Sequence, residues 1–212
     1  GVMHASNDHG MRGGFSLYVP EYYDAASRWP LIVALHGGSG HGRGFIWTWL
    51  REARSRGAIL LSPTAVGGTW SLMQPEIDSE NLERMLEYLR ERWNIDPARM
   101  LLTGMSDGGT FSLVSGLRET SPFTHLAPIA ASFHPFLLEL ASPQRIAGLP
   151  IRLIHGAHDW MFPVAMAREA CDAFGAAGAA VSYREIPDLS HTYPREENAG
   201  ILDWFLGPRL AT

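Results

Sequence analysis

An α/β fold, with helices on both faces of a mostly parallel central sheet, is what this chain predicts, and three observations predict it. Short runs rich in Val, Ile and Leu alternate with longer segments of helical periodicity. The segments bearing Gly and Pro fall after the apolar runs, where the loops at the carboxyl ends of parallel strands belong. At 212 residues the chain is long enough for one domain with a sizeable core and short for two, so residues 1–212 read as a single domain.

The first strand is expected at 14–19 (GFSLYV) and the second at 31–35 (LIVAL), followed by a helix at 43–56. A strand at 58–61 (AILL) leads to a helix at 79–93, where Leu82, Met85, Leu86, Leu89 and Trp93 recur three and four apart with Glu and Arg on the other face. A strand at 99–103 (RMLLT) runs almost directly into a helix at 108–118. Strands at 126–130 (LAPIA) and 151–155 (IRLIH) precede a helix at 163–175, a last strand at 181–186 (VSYREI) and a closing helix at 195–206. Seven strands suffice for a large open sheet. The segments 36–44, 62–75, 131–143 and 156–163 each follow a strand, and chemistry is expected there. Residues 131–150 are mostly needed to cross from one parallel strand to the next, a connection of about a dozen residues or more, so no lid domain fits and an open cleft is expected.

Composition narrows the chemistry. Acidic and basic residues, 22 and 17, are spread along the chain for a net charge of -5, which gives no footprint for nucleic acid or an anionic membrane. No apolar run approaches the roughly 20 residues that span a bilayer. All 17 basic residues are Arg, which excludes Schiff-base chemistry, a pyridoxal anchor and a P-loop lysine. Cys171 is the only cysteine and sits in a helical, apolar setting, AREACDAFGAAG, as a packing residue; it can form no internal disulfide. Gly1 is not a natural start residue, which leaves room for a removed signal peptide.

The stretch LLTGMSDGGTF, residues 101–111, surrounds one hydroxyl with glycines. Gly104-Met105-Ser106-Asp107-Gly108 matches G-x-S-x-G between a strand and a helix, the context of a nucleophile elbow, in which a strained serine is pushed out at the top of the sheet. A serine hydroxyl is a poor nucleophile until a base takes its proton, so a histidine and an orienting acid are required. HGAHDWMFP, residues 155–163, offers Asp159, and LSHTYP, residues 189–194, offers His191, each after a strand. Asp188 is a rival acid, but three residues before His191 it is poorly placed to reach Nδ1 while Nε2 faces a serine. His155 and His158 also suggest a metal, yet no third or fourth ligand accompanies them in a zinc-like spacing, so no metal and no cofactor is expected. For the oxyanion, one donor is the backbone N–H of Asp107 and the other comes from HGGSGHG, residues 36–42, with Gly38 the choice.

Together LIVALHGGSG, IDSENLERMLEYLRERWNIDPARMLLTGMSDGG, HGAHDWMFPV and SHTYP resemble an α/β-hydrolase, and more narrowly the small esterases grouped with polyhydroxybutyrate depolymerases, feruloyl esterases and the phospholipase/carboxylesterase family. The resemblance implies Ser106, Asp159 and His191 as the triad and Gly38 with Asp107 as the oxyanion hole. Secreted members of those families often carry disulfides, which one cysteine cannot form, so a cytoplasmic location is slightly favoured over secretion. Trp47, Trp70, Phe133 and His134 follow strands or the oxyanion loop and are candidate walls of the substrate pocket.

The expected activity is therefore hydrolysis of short-chain or aryl carboxylic esters through an acyl-enzyme, with a small-molecule ester as partner and oligomeric state open. The same triad would serve a thioesterase or a small-peptide hydrolase, because leaving-group choice lies in the pocket. A non-catalytic binding module on the same fold is the alternative from another class.

Overall fold

The computed structural model of the protein describes residues 1–6 and 12–208. The strands are β1 Val2–Ala5, β2 Phe15–Tyr18, β3 Trp29–Leu35, β4 Ile59–Pro63, β5 Ile95–Met105, β6 His125–Ile129, β7 Pro150–Gly156 and β8 Ala180–Ile186. The helices are α1 Gly42–Arg56, α2 Glu76–Arg90, α3 Asp107–Gly116, the single turn α4 Pro143–Ile146, α5 Val164–Ala176 and α6 Asn198–Leu206, with 3₁₀ turns at Pro135–Leu140 and Arg195–Glu197. The strands form one sheet in the order β1-β2-β4-β3-β5-β6-β7-β8. β1 and β2 are antiparallel at one edge, and every pairing from β4 through β3 to β8 is parallel.

β3 shows why the sheet holds the middle of the molecule. All seven of its residues are buried, as expected where helices cover both faces of a parallel sheet. Its side chains alternate: Leu31, Val33 and Leu35 enter the layer beneath α2, α3 and α5, while Ile32 and Ala34 enter the layer beneath α1 and α6. In α2 the stripe Leu82, Met85, Leu86 and Leu89 is buried against the first layer. α1 closes on Gly57, whose φ of 67° supplies the left-handed C-cap.

Most bounds shift by one to three residues from the expectation, and three differences have a clear cause. An eighth strand, β1, lies at the edge; four residues with mostly exposed side chains carry no apolar run, and pairing from Val2↔Tyr18 to Ala5↔Phe15 is what makes them a strand. α2 runs from 76 to 90 rather than 79 to 93, with Trp93 beyond its end yet packed on the same core. β5 starts at Ile95, four residues early, because Pro97 keeps its neighbour extended and Asp96 takes the N–H of Ala98, turning the chain into the strand.

Between β6 and β7 the chain holds only the 3₁₀ turn at Pro135–Leu140 and the short α4. No lid domain is inserted there, and the loops that leave the carboxyl ends of β3 to β8 carry the candidate residues. Among the described residues no helix is long and apolar enough to cross a membrane.

Candidate active site

The glycines around Ser106 answer to close packing. A Cβ on Gly104 would stand 2.5 Å from the Gly108 carbonyl oxygen, and one on Gly108 would stand 2.3 Å from that of His36. β5 and α3 can thus approach β3 only if both positions lack side chains. Between them Ser106 takes φ 55° and ψ −120°, a conformation that costs a non-glycine residue about 1–3 kcal/mol and persists only when its surroundings impose it. The Ser106 N–H is held by the Ile129 carbonyl at 2.9 Å, and the Thr110 N–H bonds to the Ser106 carbonyl at 2.9 Å.

His191, in the loop after β8, places Nε2 3.0 Å from Ser106 Oγ. Its Nδ1 lies 2.8 Å from Oδ2 of Asp159, in the loop after β7. The other carboxylate oxygen, Oδ1, accepts the backbone N–H groups of Met161 at 2.9 Å and Phe162 at 2.8 Å. Burial pushes the Asp159 carboxyl up, but the Phe162 N–H, His191 and the Met161 N–H outweigh it and leave it below the usual carboxylate value. Buried His155 donates Nε2–H to the Phe162 carbonyl at 2.7 Å, with the same nitrogen 3.4 Å from Asp159 Oδ2. The rival Asp188 is exposed. The sheet thus brings Ser106, Asp159 and His191 into one hydrogen-bonded chain.

The loop after β3 passes directly over the elbow: a Cβ on Gly37 would lie 3.8 Å from Ser106 Cβ. His36 at its root is 1% exposed. Its Nδ1–H donates to the Gly37 carbonyl at 2.6 Å and its Nε2 accepts the Ala65 N–H at 3.0 Å, which fixes one neutral tautomer. Burial is the chief cause of its lowered pKa of about 4. Arg12 ties the far end of the loop through the Gly40 carbonyl at 2.6 Å and the Ala65 carbonyl at 3.3 Å. The Ser39 N–H bonds to the Gly68 carbonyl at 2.9 Å, and Thr69 Oγ1 donates to Asp107 Oδ2 at 2.5 Å. Outside the helix ladder, the N–H groups of Gly38 and Asp107 donate to no acceptor among the described residues.

The four pocket candidates fare differently. Trp70 is 4% exposed, stacks on Phe111 and donates its indole N–H to the His36 carbonyl at 2.8 Å, so it supports the oxyanion loop from below. Phe133 is buried edge-on against Phe174. Trp47 is exposed on the outer side of α1, in a groove shared with Tyr22 and Leu50. Exposed His134 lies tilted against Phe136 and accepts its N–H, capping the 3₁₀ turn. An aromatic after a strand either folds back over the sheet end or faces the cleft, and spacing does not choose between the two. The rings that flank His191 are Trp160 and Phe162, at centroid distances of 5.9 and 5.5 Å; their place beside Asp159 in HDWMFP was the signal available for them.

A strained serine elbow, a histidine and an acid at the carboxyl ends of a sheet in this strand order define an α/β-hydrolase. More narrowly, the family model for phospholipase/carboxylesterase matches residues 73–205, and the chain belongs to that family of ester hydrolases. Solved structures share the fold: esterase PE8 superposes with a TM-score of 0.73 at 21% identity, covering 92% of this chain and 97% of the other. A thermostable esterase gives 0.70 at 22% identity over 92% of this chain, which spans only 56% of that one. Acetyl xylan esterase from Aspergillus awamori gives 0.74 at 15% identity, covering 98% and 99%. No protein of curated function matches the chain in sequence.

Proposed function

We propose that this chain is a serine esterase that cleaves short-chain or aryl carboxylic esters through a covalent acyl-enzyme. The observation that carries the reading is the hydrogen-bond chain from Ser106 Oγ through His191 to Asp159, at 3.0 and 2.8 Å. Neutral His191 takes the Ser106 proton at Nε2 as Oγ attacks the ester carbonyl carbon. Asp159 accepts from Nδ1–H, holding the ring in the tautomer that leaves Nε2 free and stabilising the imidazolium that forms. The negative charge gathering on the carbonyl oxygen is met by the N–H groups of Gly38 and Asp107; loss of one such donor typically costs about 10² to 10³ in rate. Imidazolium His191 then gives its proton to the departing alcohol, and water repeats the sequence on the acyl-enzyme. No step calls for a metal or cofactor.

Rapid mixing with p-nitrophenyl acetate tests the acyl-enzyme. A burst of p-nitrophenol close to one equivalent of enzyme is expected where deacylation is the slower step, with burst and turnover both lost in Ser106→Ala. Turnover undiminished in Ser106→Ala overturns the reading.

A further inference from the structure

Trp160 is the unexplained side chain of this site. It is 73% exposed, although it follows an acid that is buried and fully hydrogen-bonded. The turn that presents it is rigid, because Asp159 Oδ1 holds the N–H groups of Met161 and Phe162 and the Asp159 N–H bonds to the Gly156 carbonyl. Phe162, the other ring against His191, is half-buried and packs. Trp160 meets the imidazole at 69° between ring planes and leaves most of its surface to solvent. Met161 beside it is 45% exposed. Single exposed apolar residues are ordinary; an indole held by a rigid turn against the general base is in a different position.

The position has a chemical meaning that rests on the function proposed above. His191 Nε2 must reach the oxygen of the departing alcohol, so the alcohol half of the ester lies on the His191 side of Ser106. Trp160 borders that side. With only short helical turns between β6 and β7, the alcohol half is not enclosed, and an exposed flat face is what remains to hold it. A ring gains from such a face, an aryl ring by stacking and a pyranose by laying its C–H face on the indole, whereas a small alkyl alcohol offers little area. We propose that Trp160 is the leaving-group platform of this enzyme and selects esters whose alcohol carries a ring with a broad apolar face, either a planar aryl ring or the C–H face of a pyranose.

The test compares kcat/KM of the intact protein with Trp160→Ala and Trp160→Phe on three acetates: phenyl acetate, monoacetylated methyl β-xyloside and ethyl acetate. Trp160→Ala should lose about five- to tenfold on at least one ring ester, mainly through KM, the size expected of one aromatic stacking contact. Ethyl acetate should be unaffected, and Trp160→Phe should restore most of the loss. Which ring ester responds tells aryl from sugar. An equal loss on all three esters would mean that Trp160 merely props His191 and would overturn the proposal, as would no loss on either ring ester. Dependence on Ser106 separates the two readings: it persists if only the platform fails, and it is absent if the esterase mechanism itself fails.

Discussion

Ser106 Oγ and His191 Nε2 stand 3.0 Å apart although 85 residues separate them in the chain. What closes that distance is the sheet: Ser106 leaves the end of β5 and His191 follows β8, with β6 and β7 between them. Strand order thus sets the site geometry, and the loops supply only the last turn.

The elbow should tolerate no Cβ beside the serine. In Gly108→Ala the new atom would lie 2.3 and 2.5 Å from the carbonyl oxygens of His36 and Leu35, so the backbone of β3 or α3 has to move, at roughly 3 kcal/mol or more. Gly44→Ala, in α1 with nothing within 4 Å of the added carbon, should be neutral or stabilising by up to about 1 kcal/mol. Urea denaturation of both variants checks the contrast.

Thr69→Val should separate positioning from binding. The variant keeps the volume but removes the hydrogen bond to Asp107, whose N–H is one proposed oxyanion donor. A fall of about tenfold in kcat, or ~1.4 kcal/mol, with KM little changed is expected from steady-state kinetics on p-nitrophenyl acetate. A purely higher KM would place Thr69 in substrate binding instead.

Stability should decline in mild acid because of His36. Its folded pKa of about 4 lies below the ordinary histidine value of about 6.5, so the unfolded chain binds the proton more readily. The contribution is fully present above about pH 6.5 and is lost as pH falls towards 4, amounting to about 3 kcal/mol. Tm measured from pH 8 to 4 should drop accordingly, and His36→Asn should be less stable at pH 7 with a flatter profile.

Without a lid domain between β6 and β7, short acyl chains should be favoured. With only a 3₁₀ turn and a four-residue helix between β6 and β7, nothing among the described residues closes over a long chain, and an unenclosed methylene adds little of the ~1 kcal/mol or more that a snug pocket gives. p-Nitrophenyl acetate or butyrate should exceed palmitate by roughly tenfold or more in kcat/KM, without a jump in rate at the solubility limit. A preference for palmitate would mean that the surrounding loops close over substrate.

Much of this was legible in the chain. Ser106, Asp159 and His191 stood out because each follows an apolar run in a recognisable setting, and the topology of such a sheet brings those strand ends together. The orientation of aromatic rings was not legible: Trp70 and Trp160 both follow strands, yet one lies beneath the oxyanion loop and the other faces solvent beside His191. Nor was the tie from Arg12 to Gly40, which spans 28 residues and depends on where the edge strands pair. β1 escaped because an exposed edge strand needs no apolar pattern.

The most direct measurement is covalent labelling with a fluorophosphonate, read by intact mass and peptide mapping. One adduct per chain is expected, on Ser106, and in Ser106→Ala no adduct, nearly complete loss of ester hydrolysis and an unchanged Tm. An adduct on another residue, or a Ser106→Ala protein that still hydrolyses esters at the ordinary rate, would contradict it.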